Sequence, residues 1–100
     1  MHARLTTLQL DPSRIDEVIA QLEEQDVPAL REHDGFKGLT ALVDRSSGKV
    51  VGTSYWASKD HMDAAEEAGK RARDRAAETG GAAGSPQVER FEVALDTFEP

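Results

Sequence analysis

The sequence contains no cysteine, and this excludes several classes of site and scaffold at once. Without cysteine the chain cannot hold a disulfide framework, a thiolate-ligated zinc ion or a cysteine nucleophile. It has no apolar run near the roughly 20 residues that a membrane-spanning helix needs. Its first residues also lack the apolar segment of a secretory signal. We therefore expect a cytoplasmic protein with no membrane partner.

Large apolar side chains and positive charge are both scarce. Leu, Ile, Val and Phe together contribute 20 of the 100 residues, and Ala contributes another 14. This composition lies at the edge where a charged chain fails to fold alone, which predicts that a second subunit completes the core. The 19 acidic residues outnumber the 12 Lys and Arg, giving a net charge of −7. That charge argues against a nucleic-acid partner, which needs clustered positive charge.

The first half of the chain is predicted to form a strand, a helix and a second strand. Alternation at period 2 indicates a strand over residues 1–10, and Asp11 followed by Pro12 indicates the start of a helix. Pro28 should kink or restart this helix, with Asp26 as a new cap. Gly35 should end it in the left-handed conformation. One apolar stripe at helical spacing is formed by Ile15, Val18, Ile19 and Leu22.

The second half is predicted to form a hairpin, a helix and a last strand. Strands over 36–44 and 50–57 flank a turn in which Gly48 takes positive φ. Ser58 should cap a helix that runs to about Thr79, and 88–98 should form the last strand. The basic run at 70–75 is interpreted as a solvated helix face. A narrow stripe of mostly small side chains is formed by Met62, Ala65, Gly69, Ala72 and Ala76.

The order β-α-β-β-α-β over one domain, residues 1–100, predicts an α+β fold of the ferredoxin-like type. In this fold a four-stranded antiparallel sheet carries both helices on one face. The other face of the predicted sheet still bears apolar residues, so another layer must cover it. The simplest cover is a second copy of the chain, placed sheet to sheet in a two-fold homodimer.

Two stretches of the sequence resemble the antibiotic biosynthesis monooxygenase (ABM) family. One is PALREHDGFKGL at 28–39, where the first helix meets the second strand. The other is SYWASKDHM at 54–62, which follows Asp44 and the Gly48 turn. The resemblance implies a dimeric α+β barrel. That superfamily includes cofactor-free monooxygenases acting on polycyclic phenols, haem-degrading enzymes, and members without known activity.

The sequence departs from the polar residues of that family. The quinone-forming monooxygenases are described with an Asn, a Trp and an Arg around the substrate, whereas this sequence contains no Asn. Trp56 matches the Trp, and Arg90 on the last strand is a candidate for the Arg. The haem-degrading branch needs a first-strand Asn, and a His where Glu66 stands here. The resemblance therefore implies neither haem degradation nor any cofactor.

The candidate catalytic residues each have a structural alternative. His61, in the first turn of the second helix, is either a general base near neutral pH or a solvated histidine. Arg90 is either a catalytic Arg or part of a cross-strand ion pair with Arg4 and Glu92 at the rim of the barrel. The three histidines share no helix-face spacing, so we expect no metal site.

The candidate ligand-binding residues lie on the central strands and the second helix. Trp56 is either packing at a strand end or a wall that stacks on a flat aromatic ligand. Tyr55, Thr53 and Thr40 either line a chamber or are hydroxyls satisfied at an interface. Met62 lies on the narrow helix stripe.

Two functions are compatible with these residues. The first is an ABM-like dimer that binds a small apolar or aromatic molecule without clear catalytic apparatus. The second is a cofactor-independent monooxygenase acting on a phenolic or quinol substrate, in which the substrate supplies the electrons. The sequence has no phosphate-cradling Gly loop and no Gly-x-Ser-x-Gly elbow that would favour another reaction.

Overall fold

A computed structural model describes residues 1–99 and contains four strands and four α-helices. A 3₁₀ turn at Pro12–Arg14 precedes the first helix, and a π-helical turn at Leu22–Asp26 joins the first helix to the second. The elements are, in chain order, β1 (His2–Gln9), α1 (Ile15–Gln21), α2 (Val27–Arg31), β2 (Phe36–Asp44), β3 (Lys49–Trp56), α3 (Lys59–Ala64), α4 (Glu66–Thr79) and β4 (Gln87–Glu92). The predicted order is confirmed, with each predicted helix divided in two.

The strands form one antiparallel sheet in the order β2-β3-β1-β4. In the centre of the sheet, Arg4 lies opposite Ser54 on β3 and opposite Arg90 on β4. Residues two apart on a strand share a face, so Arg4, Thr6 and Leu8 point one way. The helices cover this side of the sheet, which we call the inner face; the other side is the outer face.

The core lies between the inner face and the helices, in two clusters. One cluster gathers around Leu8, Ile15, Val18 and Val50, and the other around Trp56 and Met62. Trp56, Ile15 and Met62 have no exposed surface. The predicted helix stripes therefore both face the sheet, because burying them is the main favourable contribution to folding.

The local signals for turns and helix starts are confirmed. The Asp11 carboxylate accepts a hydrogen bond from the backbone N–H of Ser13 (2.9 Å), and Ser58 Oγ accepts one from the N–H of His61 (3.2 Å). Gly35 and Gly48 both have φ of +83°. These features depend only on neighbouring residues, which is why the sequence predicts them.

Three predicted boundaries are wrong. The helix predicted from Ser58 to Thr79 breaks at Ala65, whose φ and ψ of −97° and 13° are not helical. Asp26 makes no capping hydrogen bond at α2 and pairs instead with Arg75 on α4. The last strand ends at Glu92 rather than at residue 98, because Glu92 lies opposite His2, the first residue of β1.

Candidate functional site

A cavity lies between the inner face of the sheet and the helices, and its volume is about 70 Å³. Its walls are mostly aliphatic, with polar side chains from Arg4, Thr6, Ser54 and Arg73. We call this space the inner cavity. The aliphatic walls come from β1, β2, β3, α1, the π-helical turn, α2 and α4, and include Leu8, Val18, Leu22, Leu30, Leu39, Val50, Ala72 and Ala76.

The two arginines at one end of the inner cavity share a carboxylate that lies outside its lining. Glu66, at the start of α4, pairs with Arg4 (Oε2 to Nη2, 2.8 Å) and Arg73 (Oε1 to Nη2, 2.9 Å). It also pairs with Arg90 (Oε1 to Nη2, 3.0 Å). Arg4 donates a further hydrogen bond from Nη2 to the carbonyl oxygen of Met62 (2.7 Å). Arg4 is buried, with 3% of its surface exposed, so β1 places a full positive charge inside the fold.

The surroundings keep these groups ionised. Burial acts to raise the pKa of Glu66, but hydrogen bonds from Arg90 and Arg73 and the charge of Arg4 outweigh it, so the pKa lies below its usual range. Burial lowers the pKa of Arg4, against the opposing effect of Glu66. A guanidinium does not lose its proton in proteins, so Arg4 stays charged.

Two nitrogens of this arginine cluster have no hydrogen-bond partner among residues 1–99. They are Arg4 Nε and Arg73 Nη1, and both are buried. The side chains of Arg4 and Arg73 converge beside Gly69, where a Cβ would collide with Arg4 Nη1 and lie 3.3 Å from Arg73 Nη1. Gly69 therefore provides the space for the two guanidinium groups.

Several solved structures share this arrangement of strands and helices. A monooxygenase from the gene ActVA-Orf6 of Streptomyces coelicolor, in complex with Nanaomycin D, has a TM-score of 0.77 and 16% identity. That match covers 99% of this chain and 92% of the other. A variant of SnoaB, a cofactor-independent oxygenase from Streptomyces nogalater, has a TM-score of 0.70 and 14% identity, covering 98% and 97%. The chain has the ABM fold.

The same fold also occurs in proteins with other roles, and the curated sequence relatives have none assigned. The haem degrader MhuD of Mycobacterium tuberculosis has a TM-score of 0.69 and 18% identity, covering 98% of this chain and 100% of that one. Uncharacterized proteins Rv2557 and Rv2558 of Mycobacterium tuberculosis strain H37Rv are 42% and 41% identical, over 94% and 95% of this chain. The chain spans 41% and 39% of their lengths. No protein-family model matches the chain.

The ABM fold places the predicted ligand-binding residues on opposite sides of the sheet. Trp56 and Met62 are buried on the inner side, where Trp56 packs edge-on against Phe36 with ring centroids 5.2 Å apart. Trp56 Nε1 donates to Ser54 Oγ (3.0 Å), and Ser54 lines the inner cavity. Trp56 therefore contacts the lining residue Ser54 but does not itself line the cavity.

Tyr55, Thr53 and Thr40 belong to the outer face. Thr53 lies opposite Leu5 and Thr40 in the sheet, and Tyr55 lies two residues further along β3, on the same face. The ring of Tyr55 packs edge-on against Phe98, with centroids 5.4 Å apart, in the segment that follows β4. These three residues therefore share the outer face and do not line the inner cavity.

The two predicted catalytic residues are also apart. His61 lies at a polar surface cleft formed with Glu32, His33, Asp34 and Asp60, and its Nδ1 is 2.7 Å from Ser58 Oγ. Arg90 lies opposite Arg4, and both pair with Glu66 on α4, so the predicted cross-strand ion pair is replaced by a sheet-to-helix one. Within residues 1–99, no group of three or more His, Cys, Asp or Glu could hold a metal ion.

The sequence patterns do not predict that Arg4, Arg73 and Glu66 are neighbours. The basic run that contains Arg73 is predicted to be solvated, yet only 13% of the Arg73 side chain is exposed. One signal does point to its burial: Arg73 follows Gly69 by four residues, so both lie on one side of the helix.

None of the helices within residues 1–99 has both the length and the apolar character needed to cross a membrane.

Proposed function

We propose that this ABM-fold chain binds a small apolar or aromatic molecule in the inner cavity, without clear catalytic apparatus. The observation that supports this most directly is the cavity itself. Its aliphatic walls come from β1, β2 and β3, and from helices that precede and follow the β2–β3 hairpin in the chain. Ligand sites are commonly concave and apolar, with a few polar groups that fix orientation.

The size of the cavity limits the ligand. About 70 Å³ is room for several water molecules, since each needs roughly 10–15 Å³ on this kind of measure. A single ring or a short aliphatic chain fits with modest movement of the walls. A multi-ring molecule would fit only if the helices move. The π-helical turn at Leu22–Asp26 interrupts the regular helix and contributes the wall residue Leu22, so it is the place where such a movement is expected.

We further propose that two copies associate through their outer faces. This face carries Leu42, Phe91 and Tyr55, and Leu42 and Phe91 are 64% and 50% exposed. Large apolar side chains exposed on one face of a sheet are a feature of protein interfaces. A cytoplasmic location and a single domain over residues 1–100 stay predictions from the sequence.

Fluorescence of Trp56 provides the test of ligand binding. Because its indole N–H is hydrogen-bonded to the cavity residue Ser54, a molecule that enters should change the emission. We expect a saturable change with at least one member of a panel of hydroquinones, phenols and haem, most strongly with single-ring compounds. Flat traces across the panel would contradict the proposal.

Two variants separate binding in the cavity from binding elsewhere. Ala72→Leu fills the cavity and should abolish the saturable signal, because Ala72 lines it. Arg71→Leu, one residue earlier on the exposed side of α4, adds a similar side chain outside the cavity and should leave the signal unchanged.

A cofactor-independent monooxygenase is the second candidate function. It is supported by the fold shared with the ActVA-Orf6 monooxygenase and with SnoaB. On this proposal Trp56 supports the cavity wall through its hydrogen bond to Ser54, and Arg90, through the Glu66 that it shares with Arg4 and Arg73, assists deprotonation of a phenolic or quinol substrate. Tyr55 and His61, which the sequence also suggested, lie away from the inner cavity. Oxygen consumption with such a substrate would support it, and Trp56→Phe should then reduce the rate.

A further inference from the structure

We propose that the inner cavity selects an apolar carboxylic acid in its ionised form, with Arg4 and Arg73 binding the carboxylate. This inference rests on the proposed ligand-binding function and specifies the chemical class of the ligand. The aliphatic residues at the other end of the cavity would hold the apolar part of the molecule.

The charges around Glu66 do not balance. Three guanidinium groups, from Arg4, Arg73 and Arg90, share this single carboxylate. The cluster therefore carries two more positive than negative charges. The nearby Asp63 does not balance it, because its carboxylate pairs with Lys59 at 2.7 Å.

Burial makes part of this excess charge costly, since Arg90 is 44% exposed but the other two arginines are not. Arg4 and Arg73 have only 3% and 13% of their side chains exposed. A buried charge destabilises a fold unless it is paired, and arginine cannot escape the cost by losing a proton. A bound anion would supply the missing negative charge.

Two hydrogen-bond donors of the cluster are unused. Arg4 Nε and Arg73 Nη1 are buried and have no partner among residues 1–99. They belong to two arginines whose guanidinium groups converge beside Gly69, and both residues contribute to the lining of the same cavity. A carboxylate has two oxygens that can each accept one of these hydrogen bonds, whereas an alcohol or a phenol has one.

The polarity of the cavity changes along the strands. Arg4 and Leu8 both face it from β1, about 13 Å apart at roughly 3.3 Å per residue. At the Leu8 end the walls are formed by Val50, Val18 and Ala76. A ligand with one charged group and one apolar body matches this division.

The experiment compares benzoate with benzamide, which have similar shapes but differ in charge. Calorimetric titration of the full chain at pH 7 and low salt should show benzoate binding at least tenfold more tightly. Arg73→Gln should reduce this preference by tenfold or more. The matched control is Arg71→Gln, which removes an exposed arginine of the same helix and should leave the preference intact.

The outcomes distinguish this inference from the function on which it rests. Equal affinity for benzoate and benzamide would overturn the carboxylate preference and leave ligand binding intact. Failure to bind benzoate, benzamide and every phenol of the fluorescence panel would overturn both. A preference that survives in Arg73→Gln would overturn the assignment to the arginines.

A measurement on the unmodified chain covers the case in which Arg73→Gln does not fold. The Nε–H of Arg4 should give an NMR signal that shifts on addition of benzoate and stays in place with benzamide. An Arg4 signal that does not respond to saturating benzoate would overturn the proposed contact.

Discussion

Gly69 and Arg4 depend on each other although they are far apart in the sequence. Gly69 belongs to the narrow stripe of α4, and the absence of a side chain there admits the guanidinium group of Arg4 from β1. The stripe predicts that α4 packs closely on the sheet. It does not indicate that the space is filled by a charged side chain, because that depends on which β1 residues face the helices.

At the residue scale, Gly48→Ala should destabilise the fold more than Gly84→Ala. Both glycines have φ near +84°, which costs a residue with a Cβ about 1–2 kcal/mol. At Gly48 the new Cβ would also collide with the carbonyl oxygen of Leu10, whereas at Gly84 it would meet nothing within 4 Å.

Chemical denaturation of both variants checks this expectation. We expect a loss of about 1–2 kcal/mol in the free energy of unfolding for Gly84→Ala, as above, and a larger loss for Gly48→Ala. Equal losses would show that the turn relaxes freely around the added methyl group.

At the level of the elements, the first helical segment is interrupted, although its apolar residues are spaced as in one continuous helix. The N–H of Val27 donates to the carbonyl oxygen of Leu22, five residues back, which makes the π-helical turn. Pro28 has no N–H to continue the ladder, so α2 begins as a separate short helix. The sequence predicts that the helix restarts at Pro28. It does not predict the π-helical turn before Pro28, in which Asp26 pairs with Arg75 of α4.

Asp26 in this turn should give the fold a distinct pH dependence. Burial raises the pKa of Asp26, and the charge of Arg75 opposes this only in part. The folded state therefore holds this proton to a higher pH than the unfolded state, in which Asp titrates at about 3.9. Its contribution to stability is present below that pH and is lost as the pH rises through the folded pKa.

Denaturant unfolding from pH 3 to 7 tests this sign. The stability of Asp26→Asn relative to the unmodified chain should rise with pH, because the variant has no such proton to lose. Asp16→Asn is the control, since 81% of the Asp16 side chain is exposed. A constant difference between Asp26→Asn and the unmodified chain would contradict the shift.

At the scale of the whole molecule, the outer face should make stability depend on protein concentration. If two copies bury this face, the folded dimer gains stability by mass action, so the Tm rises with concentration. Leu42→Glu places a charge on the face and should produce a monomer with a lower Tm. Arg71→Glu, on exposed α4 surface, should not change the mass in solution. A concentration-independent Tm together with a monomeric mass would contradict the dimer.

Local patterns are enough to predict the order of the elements, the caps at Asp11 and Ser58, and the turns at Gly35 and Gly48. Each of these depends on residues close together in the chain. Packing of the helices on one side of the sheet is not visible in such patterns, and it places Thr40, Thr53 and Tyr55 on the outer face. It also brought Arg4, Arg73 and Arg90 to Glu66, since packing of α4 on the sheet joins residues that no local pattern relates.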